Sequence, residues 1–258
     1  MPSVIKYGGN AMIDLAVRRE VARTIRQAAH DGLEPVVVHG GGPYIDAELK
    51  RFDIPVHFLR GLRVTSVEAL VPVEHALTLL GKRLAQEIGS AVALTGRDSG
   101  LLRAETFDPE LGRVGRMVDV NSGLLLRLLG IDVTPVVACL ALDSSEEPLN
   151  VNADEVAGFV AGALAAPVVF LTNVAGVLDD PGDPHSRLPS LDRREAELRL
   201  ADGRIAGGMI PKVESALAAL EWGAISAVIA DGRDPDGLRL ALDGSRGTTI
   251  TAVGNGSR

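Results

Sequence analysis

The sequence predicts an α/β fold with a mostly parallel sheet. Apolar runs of strand length alternate with segments of helical spacing along the 258 residues. Hydrophobic residues make up 46% of the chain and aromatic residues only 3%, so Ala, Val, Leu and Ile must build the core. Such a composition suits helices packed on a parallel sheet that is buried on both faces. The length allows one large domain or two small lobes.

The first element is a short strand that runs into a glycine turn. Val4 and Ile5 form the strand, Lys6 ends it, and Gly8 and Gly9 follow. Bare N–H groups at such a turn can approach an anion, and Lys6 directs a full charge to the same place. A strand that ends in Lys-x-Gly-Gly is also an ordinary strand-to-helix connection, so this stretch alone leaves both interpretations open.

A second glycine turn follows the next helix and strand. Helical spacing extends from Ile13 to Ala29, and Val36 to His39 is a strand that continues into Gly40, Gly41 and Gly42. Pro43 suits the first turn of a helix that reaches about Phe52. Unpaired N–H groups and the helix dipole there favour an anion, although a plain tight turn is equally compatible.

Other catalytic motifs are absent from the sequence. His-Gly-Gly-Gly also forms an oxyanion hole in α/β-hydrolases, but no serine has glycine at both second neighbours, which excludes a nucleophile elbow. The sequence has no Gly-x-x-x-x-Gly-Lys-Ser/Thr loop and no Gly-x-Gly-x-x-Gly fingerprint. It has no His-Glu-x-x-His motif and no paired cysteines, so nothing supports a protein-bound zinc ion.

The middle of the chain contributes an arginine loop and further strands. Arg63, in the loop from 60 to 65, could clamp a carboxylate or could be an ordinary surface arginine. The pattern then predicts, in order, a helix from Val67 to Ile88, a strand from Ala91 to Leu94, hairpins up to Val120, a helix from Asn121 to Gly130, and one strand from Val133 to Leu142.

Two asparagines and an aspartate precede the next helix. Asn150 and Asn152 alternate, so both can face one way from an extended backbone, with Asp154 just beyond. These residue types also cap helices, and capping alone would explain them.

The stretch from Val156 to Leu178 has no charged residue and tests whether the chain spans a membrane. Pro167 and Gly176 interrupt it, so it predicts a buried helix followed by a central strand. Cys139 lies in an apolar run and predicts packing rather than chemistry. With no apolar leader at the N-terminus, we expect a cytoplasmic protein.

The last third of the chain predicts one further strand end and an unfavourably placed lysine. Thr172 to Leu178 opens a loop at the carboxyl end of a strand, and a charged connector or lid extends to about Ala206. Lys212 sits in the first turn of the helix up to Trp222, where the dipole repels a cation, so a bound anion or simple solvation must compensate. Val228 to Ala230 and, as the final edge strand, Gly247 to Ile250 complete the pattern.

The formal charge of −8 argues against nucleic acid as the main partner. A small anion in a local basic pocket remains compatible with it.

Five motifs together resemble the acetylglutamate kinases of the amino acid kinase family. They are, in order, Lys6-Tyr7-Gly8-Gly9-Asn10-Ala11-Met12, His39-Gly40-Gly41-Gly42-Pro43, Gly61-Leu62-Arg63-Val64-Thr65, Asn150-Val151-Asn152-Ala153-Asp154 and Gly207-Gly208-Met209-Ile210-Pro211-Lys212. Single motifs are shared with relatives, whereas the ordered set spans essentially the whole chain and is specific.

The resemblance implies an open αβα sandwich of two lobes that meet near Ala165. Residues 1–165 would bind N-acetyl-L-glutamate and carry a dimer interface, and residues 166–258 would bind ATP. The implied reaction is phosphoryl transfer from Mg-ATP to the side-chain carboxylate, in arginine biosynthesis. The implied catalytic residues are Lys6, Lys212 and Asp154. Substrate would be bound by Gly41, Gly42, Arg63, Asn150 and Asn152, and the nucleotide by Gly8, Gly9, Asn173, Val174, Ala175, Gly176, Val177, Leu178, Arg204, Ile205 and Ala206.

The chemistry fits this set of residues. A carboxylate with a pKa of about 4.3 is already ionised at neutral pH, so no general base is needed. Repulsion between two anions is the obstacle, and lysines, glycine N–H groups and Mg²⁺ oppose it. The phosphates and water often hold the metal, so the sequence names no protein ligand for it.

Some positions depart from the family pattern. Asn173 stands where some members carry aspartate, and residues 95–99 read Thr-Gly-Arg-Asp-Ser rather than Ser-Gly-Lys-Asp-Gly. The chain lacks the N-terminal helix of arginine-inhibited hexamers, so we expect a homodimer that is insensitive to arginine. Two alternatives remain: a kinase for glutamate or aminoadipate on a carrier protein, and a non-catalytic amino-acid sensor.

Overall fold

An eight-stranded, mostly parallel sheet forms the centre of the structure, a computed structural model that describes residues 1–8, 12–180, 182, 183, 185–234 and 236–252. The strands are β1 (Pro2–Tyr7), β2 (Glu34–His39), β3 (Phe58–Leu59), β4 (Leu62–Arg63), β5 (Ala91–Leu94), β6 (Leu102–Thr106), β7 (Val114–Val120), β8 (Thr134–Ala138), β9 (Leu140–Leu142), β10 (Pro148–Val151), β11 (Val168–Thr172), β12 (Ser190–Asp192), β13 (Ser226–Asp231) and β14 (Thr248–Thr251). The helices are α1 (Leu15–His30), α2 (Gly42–Arg51), α3 (Val67–Ile88), α4 (Ser122–Leu129), α5 (Ala153–Ala163), α6 (Arg193–Ala201), α7 (Ile210–Glu221) and α8 (Gly237–Leu242).

The main sheet has the strand order β12-β14-β13-β11-β1-β2-β8-β5. Six neighbouring strands, from β13 to β5, are mutually parallel, and β14 turns the direction because it pairs antiparallel with β13. The α/β prediction with a mostly parallel sheet is therefore confirmed. The carboxyl ends of β1, β2, β11 and β13 lie at one edge, which is where open α/β sheets bind their ligands.

Alternate side chains of each central strand enter different hydrophobic cores, as the period of two requires. On β1, Val4 belongs to the core shared with α2, α4, α5 and α7, while Ile5 belongs to the core shared with α1 and α8. Both side chains are fully buried. Helices thus cover both faces, which explains why the central strands are continuously apolar rather than alternating.

A second, smaller sheet lies beside the first. Strands β6, β7, β9 and β10 close on one another, and β3 and β4 form a separate short hairpin. The predicted hairpins before Val120 are therefore present, as β6 and β7 pair antiparallel. The single strand predicted from Val133 to Leu142 is wrong, because the chain changes sheet at Cys139 between β8 and β9.

Two predictions for the last third also need correction. The segment up to Ala206 is not only a connector, since it contains β12 and α6. Strand β14 is not an edge strand, because β12 pairs with its outer side and is itself the end of the sheet. The helix α8 was not predicted at all.

The uncharged stretch from Val156 to Leu178 contains most of a buried helix, α5, and a central strand, β11, as predicted. Among the residues described, no helix is both long enough and apolar enough to cross a membrane. The Cys139 side chain is 4% exposed, and burial raises the pKa of its thiol to about 12, which suits a packing role.

Candidate active site

An ion pair joins the end of β1 to the start of α5. The Lys6 ammonium lies 2.8 Å from Asp154 Oδ1, and the two side chains are 15% and 30% exposed. Asp154 is in the first turn of α5, where the positive end of the helix dipole favours a carboxylate. The pair is accessible at the ligand edge of the sheet, so Lys6 is held in place without being removed from solvent.

A second ammonium group, from α7, lies near this ion pair without joining it. Lys212 is half-buried in the first turn of α7, and its Nζ donates to the Gly208 carbonyl at 2.7 Å. Burial lowers the pKa of Lys212, the nearby Asp154 raises it, and the nearby Lys6 lowers it again. The structure therefore brings Lys6, Lys212 and Asp154 together from three elements that are far apart in sequence.

The first glycine turn packs against the second. The Gly40 N–H donates to the Tyr7 carbonyl at 3.1 Å. A Cβ on Gly8 would lie 3.5 Å from the Gly40 nitrogen and 3.6 Å from Lys6 Nζ. Gly8 therefore lies between the Lys6 side chain and the second glycine turn. Gly9, predicted with it, is outside the described residues.

The second glycine turn begins α2. Gly41 is the N-cap residue, and no side chain caps this helix, in which Pro43 occupies the first turn. A Cβ on Gly41 would lie only 2.9 Å from Leu77 Cδ2 of α3, so close packing requires glycine there. Gly42 follows as the first helical residue, and the uncapped N-terminus is electrostatically suited to an anion.

Arg63 already has a carboxylate partner in the protein. Its Nη1 lies 2.6 Å from Asp46 Oδ1 of α2, as an ion pair rather than an aligned hydrogen bond. The guanidinium also lies over the Phe58 ring at 4.8 Å and has its Nη2 3.5 Å from the Gly42 carbonyl oxygen. Although its side chain is only 8% exposed, Arg63 borders the second glycine turn, and the Asp46 carboxylate is half-exposed beside it.

Asn150 belongs to the same cluster, whereas Asn152 has a local role. The Asn150 side-chain amide donates to Thr65 Oγ1 at 3.1 Å, and Thr65 in turn donates to the Arg63 carbonyl at 3.3 Å. The Asn152 Oδ1 accepts from the Asp154 backbone N–H at 2.8 Å and caps α5. Of the two interpretations left open for Asn152, the structure displays the cap.

The segment from Asn173 to Leu178 leaves the carboxyl end of β11, but its side chains do not all face outward. Val177 is fully buried, and its N–H donates to Thr248 Oγ1 at 2.8 Å. Gly176 has a φ of +144° and sits against Thr248. Asn173 and Ala175 are exposed, whereas Val174 and Leu178 are half-buried. The Leu178 backbone bridges to Arg187.

The second predicted nucleotide segment is similarly divided. Ile205 is 2% exposed and its N–H donates to the Arg199 carbonyl, so it belongs to the core. Arg204 is exposed and pairs with the Asp202 carboxylate at 2.6 Å. Ala206 is exposed just before the turn that leads to Lys212. A ligand could therefore contact Arg204 and Ala206 but not the Ile205 side chain.

Sequence reasoning missed three residues that support the neighbourhood of the site. Asp46 binds Arg63, Thr65 links Arg63 to Asn150, and Tyr44 binds the Met12 carbonyl from the first turn of α2. Only Thr65 stood inside a motif. The position of Tyr44, two residues beyond the last glycine in the first turn of a helix, was the signal available for it.

Comparisons with known proteins extend over nearly the full chain. Residues 1–231 match the amino acid kinase family. An acetylglutamate kinase of Deinococcus radiodurans is 54% identical over 250 residues, 96% of this chain and 99% of that protein. Another, of Thermus thermophilus, is 49% identical over 96% of this chain and 97% of that protein. The crystal structure of smu.665 from Streptococcus mutans UA159 has a TM-score of 0.80 at 32% identity, covering 98% of this chain and 99% of that one.

Proposed function

The chain belongs to the amino acid kinase family, and from this premise we propose that it transfers the γ-phosphoryl group of ATP to the side-chain carboxylate of N-acetyl-L-glutamate. The product would be N-acetyl-L-glutamyl 5-phosphate, an intermediate of arginine biosynthesis. The resemblance seen in the motifs and the fold it implied are confirmed by these likenesses. The observation that carries the proposal is the proximity of Lys212 to the Lys6–Asp154 ion pair in a chain so similar to acetylglutamate kinases.

Charge repulsion is the barrier that this site is suited to lower. The attacking carboxylate is ionised at neutral pH, and the terminal phosphate of ATP is also an anion. Phosphoryl transfer needs positioning and charge stabilisation more than proton transfer. Two ammonium groups at one point supply positive charge where the transferring group would lie.

We propose that the two lysines approach the transferring group from different elements of the fold. Lys6, on β1, would contact the transferring group from the side of the first glycine turn. Lys212, on α7, would approach from the nucleotide side. Asp154 would hold both ammonium groups near each other, since its charge compensates their mutual repulsion.

The substrate amino acid would bind beside the second glycine turn. Gly41 and Gly42 begin an uncapped helix whose N–H groups suit a carboxylate or phosphate. Arg63 borders this turn, and we propose that the substrate's α-carboxylate binds its guanidinium in competition with Asp46. Asn150 would act through Thr65 in shaping this pocket.

The nucleotide would bind at the carboxyl end of β11. Within the proposed C-terminal lobe, residues 166–258, the exposed parts of the 173–178 and 204–206 segments border this edge. Mg²⁺ would arrive as Mg-ATP and neutralise phosphate charge. No group of three ligating side chains for a metal occurs among the described residues, and we assign it no protein ligand.

We further propose that the protein is a homodimer formed through the proposed N-terminal lobe, residues 1–165. Within the part of the chain that the structure describes, strand β5 ends the main sheet and pairs on one side, with β8. Such an edge offers unpaired backbone groups to a second copy. The neighbouring helix α3 exposes Val67, Val71 and Leu79. Light scattering with and without arginine tests this state, and a hexamer in arginine would contradict it.

An ADP-release assay with four acceptors tests the function. Acetylglutamate, glutamate, aspartate and aminoadipate are compared at equal concentration with Mg-ATP. We expect ADP release that depends on acetylglutamate, with the acyl phosphate trapped by hydroxylamine. Release with aminoadipate or glutamate alone would favour another acceptor, and no release with any of them would favour a sensor.

A further inference from the structure

A tyrosine in the first turn of α2, just after the second glycine turn, has its hydroxyl bonded to Met12 and Arg18, which follow the first glycine turn in sequence. We infer that Tyr44 is a positioning residue for phosphoryl transfer, because its hydroxyl holds the Met12 backbone, shortly before α1, against the first turn of α2. The inference rests on the proposed function, since it concerns the geometry of the same site. Nothing in the five family motifs includes Tyr44, which follows Pro43.

The hydroxyl makes two hydrogen bonds with long-range partners. Tyr44 Oη lies 3.0 Å from the carbonyl oxygen of Met12, which follows Gly8 by four residues. It lies 2.9 Å from Arg18 Nη1, near the start of α1. A guanidinium has no acceptor, so Arg18 must donate to the hydroxyl. The hydroxyl proton is then directed at the Met12 carbonyl, and the direction of both bonds is determined.

Arg18 is itself held rigidly by a third helix. Its residue exposure is only 6%, and its Nε and Nη2 bind the Glu87 carboxylate at 2.9 and 2.6 Å. Glu87 lies in the last turn of α3, where the helix dipole disfavours a carboxylate. The Glu87 carboxylate raises the pKa of Arg18, so the guanidinium stays charged. Tyr44 is therefore anchored by a buried pair that links α1 to α3.

This anchor gives the two glycine turns a second attachment. Strands β1 and β2 pair in parallel up to Tyr7 and His39, and the Gly40 N–H donates to the Tyr7 carbonyl at 3.1 Å, so the strand ends that lead into the turns are already fixed. The Tyr44 hydroxyl adds a bond to the Met12 carbonyl, which lies beyond the end of β1 and outside this ladder. Loss of this bond would release the chain at Met12 while the strands stay paired.

The consequence concerns the transition state more than substrate binding. Under the proposed function, both turns direct N–H groups at one transferring phosphoryl group. A displacement of about 1 Å between catalytic groups can cost on the order of a hundredfold in rate. Loss of one hydroxyl leaves the rest of the ring packed, so we expect a smaller effect of about tenfold.

The experiment compares Tyr44→Phe with Arg51→Gln. Arg51 is also on α2, but it pairs only with Glu48 at the surface, and it serves as the matched control. We expect kcat of Tyr44→Phe to fall about tenfold while KM for acetylglutamate changes less than about twofold. Both are measured well below the melting temperature of each variant, so that a stability loss alone cannot lower kcat.

Amide hydrogen exchange supplies a readout that does not require activity. We expect faster exchange in Tyr44→Phe at residues 8 and 40–42, and no change in Arg51→Gln. An unchanged kcat together with unchanged exchange overturns the inference, as does a change in KM alone. In a different outcome, the wild-type protein is inactive with acetylglutamate while Tyr44→Phe shows faster exchange in both turns. That result overturns the proposed function and supports the role of Tyr44 in holding the two turns.

Discussion

The change Asp154→Asn tests whether one carboxylate organises both lysines. The substitution keeps the shape of the side chain and removes its charge. At the observed 2.8 Å, the Lys6 pair has a gross attraction of about 6 kcal/mol at an effective dielectric constant of about 20. Because both side chains are partly exposed, the net value should be about 2 kcal/mol, between those of surface and buried pairs.

That energy holds the Lys6 ammonium in its reacting position, so its loss should lower kcat by roughly 30-fold. The pH profile gives a second and more specific test. Asp154 favours the protonated form of Lys212, and in the variant the pKa of Lys212 falls further below its ordinary value. Lys212 then loses its proton at a lower pH, and the alkaline limb of the kcat profile should move to lower pH.

The assay is ADP release with saturating acetylglutamate and Mg-ATP between pH 6 and 10. Asp132→Asn is the control, since Asp132 is exposed in the connection before β8, and its φ of +57° is one that asparagine tolerates. A kcat within about threefold of wild type, or an alkaline limb that stays in place, would refute the role given to Asp154.

Three further outcomes follow from the same geometry. Lys212→Ala should reduce kcat by on the order of 10²–10³ with little change in melting temperature, because it removes transition-state charge from a half-buried first turn. A melting temperature that falls strongly together with kcat would contradict this expectation. Arg63→Ala should chiefly raise KM for acetylglutamate, and a normal KM would remove Arg63 from the site. Gly81→Ala should destabilise the fold by about 1–3 kcal/mol in urea unfolding, since its Cβ would lie 2.9 Å from the buried His39 Nε2. A neutral result would show that α3 shifts freely.

The candidate site residues were easier to predict than the elements of the last third of the chain, and the reason is physical. Lys6, the glycine turns and Asp154 stand at element ends, where glycine, charge and capping leave local signals. The helix α6 leaves only a weak one, its Asp192 cap, because its few apolar residues form no continuous apolar stripe. Its support comes from the Asp192 cap and from ion pairs such as Arg193 with Glu197 and Arg199 with Glu195.

Sequence patterns also could not show where an apolar run leaves one sheet and enters another. Residues 133–142 are apolar except for Thr134, so periodicity gives no sign that β8 enters one sheet and β9 another. β12 has three residues and one buried side chain, Leu191, which is too little for a pattern. The partners of Arg63 and Tyr44 come from distant segments, and spacing alone cannot identify them.

The central position of β1 has a consequence for how the chain reaches its native state. Val4 pairs with Val168, and Ser3 pairs with Pro35 on the other side. During synthesis β2 becomes available early, whereas β11 emerges some 160 positions after β1. Until then the apolar edge of β1 that will pair with β11 stays exposed to chaperones and to any neighbouring nascent chain. We therefore expect slow maturation governed by this one late pairing, and soluble yield that depends on translation speed more than on equilibrium stability.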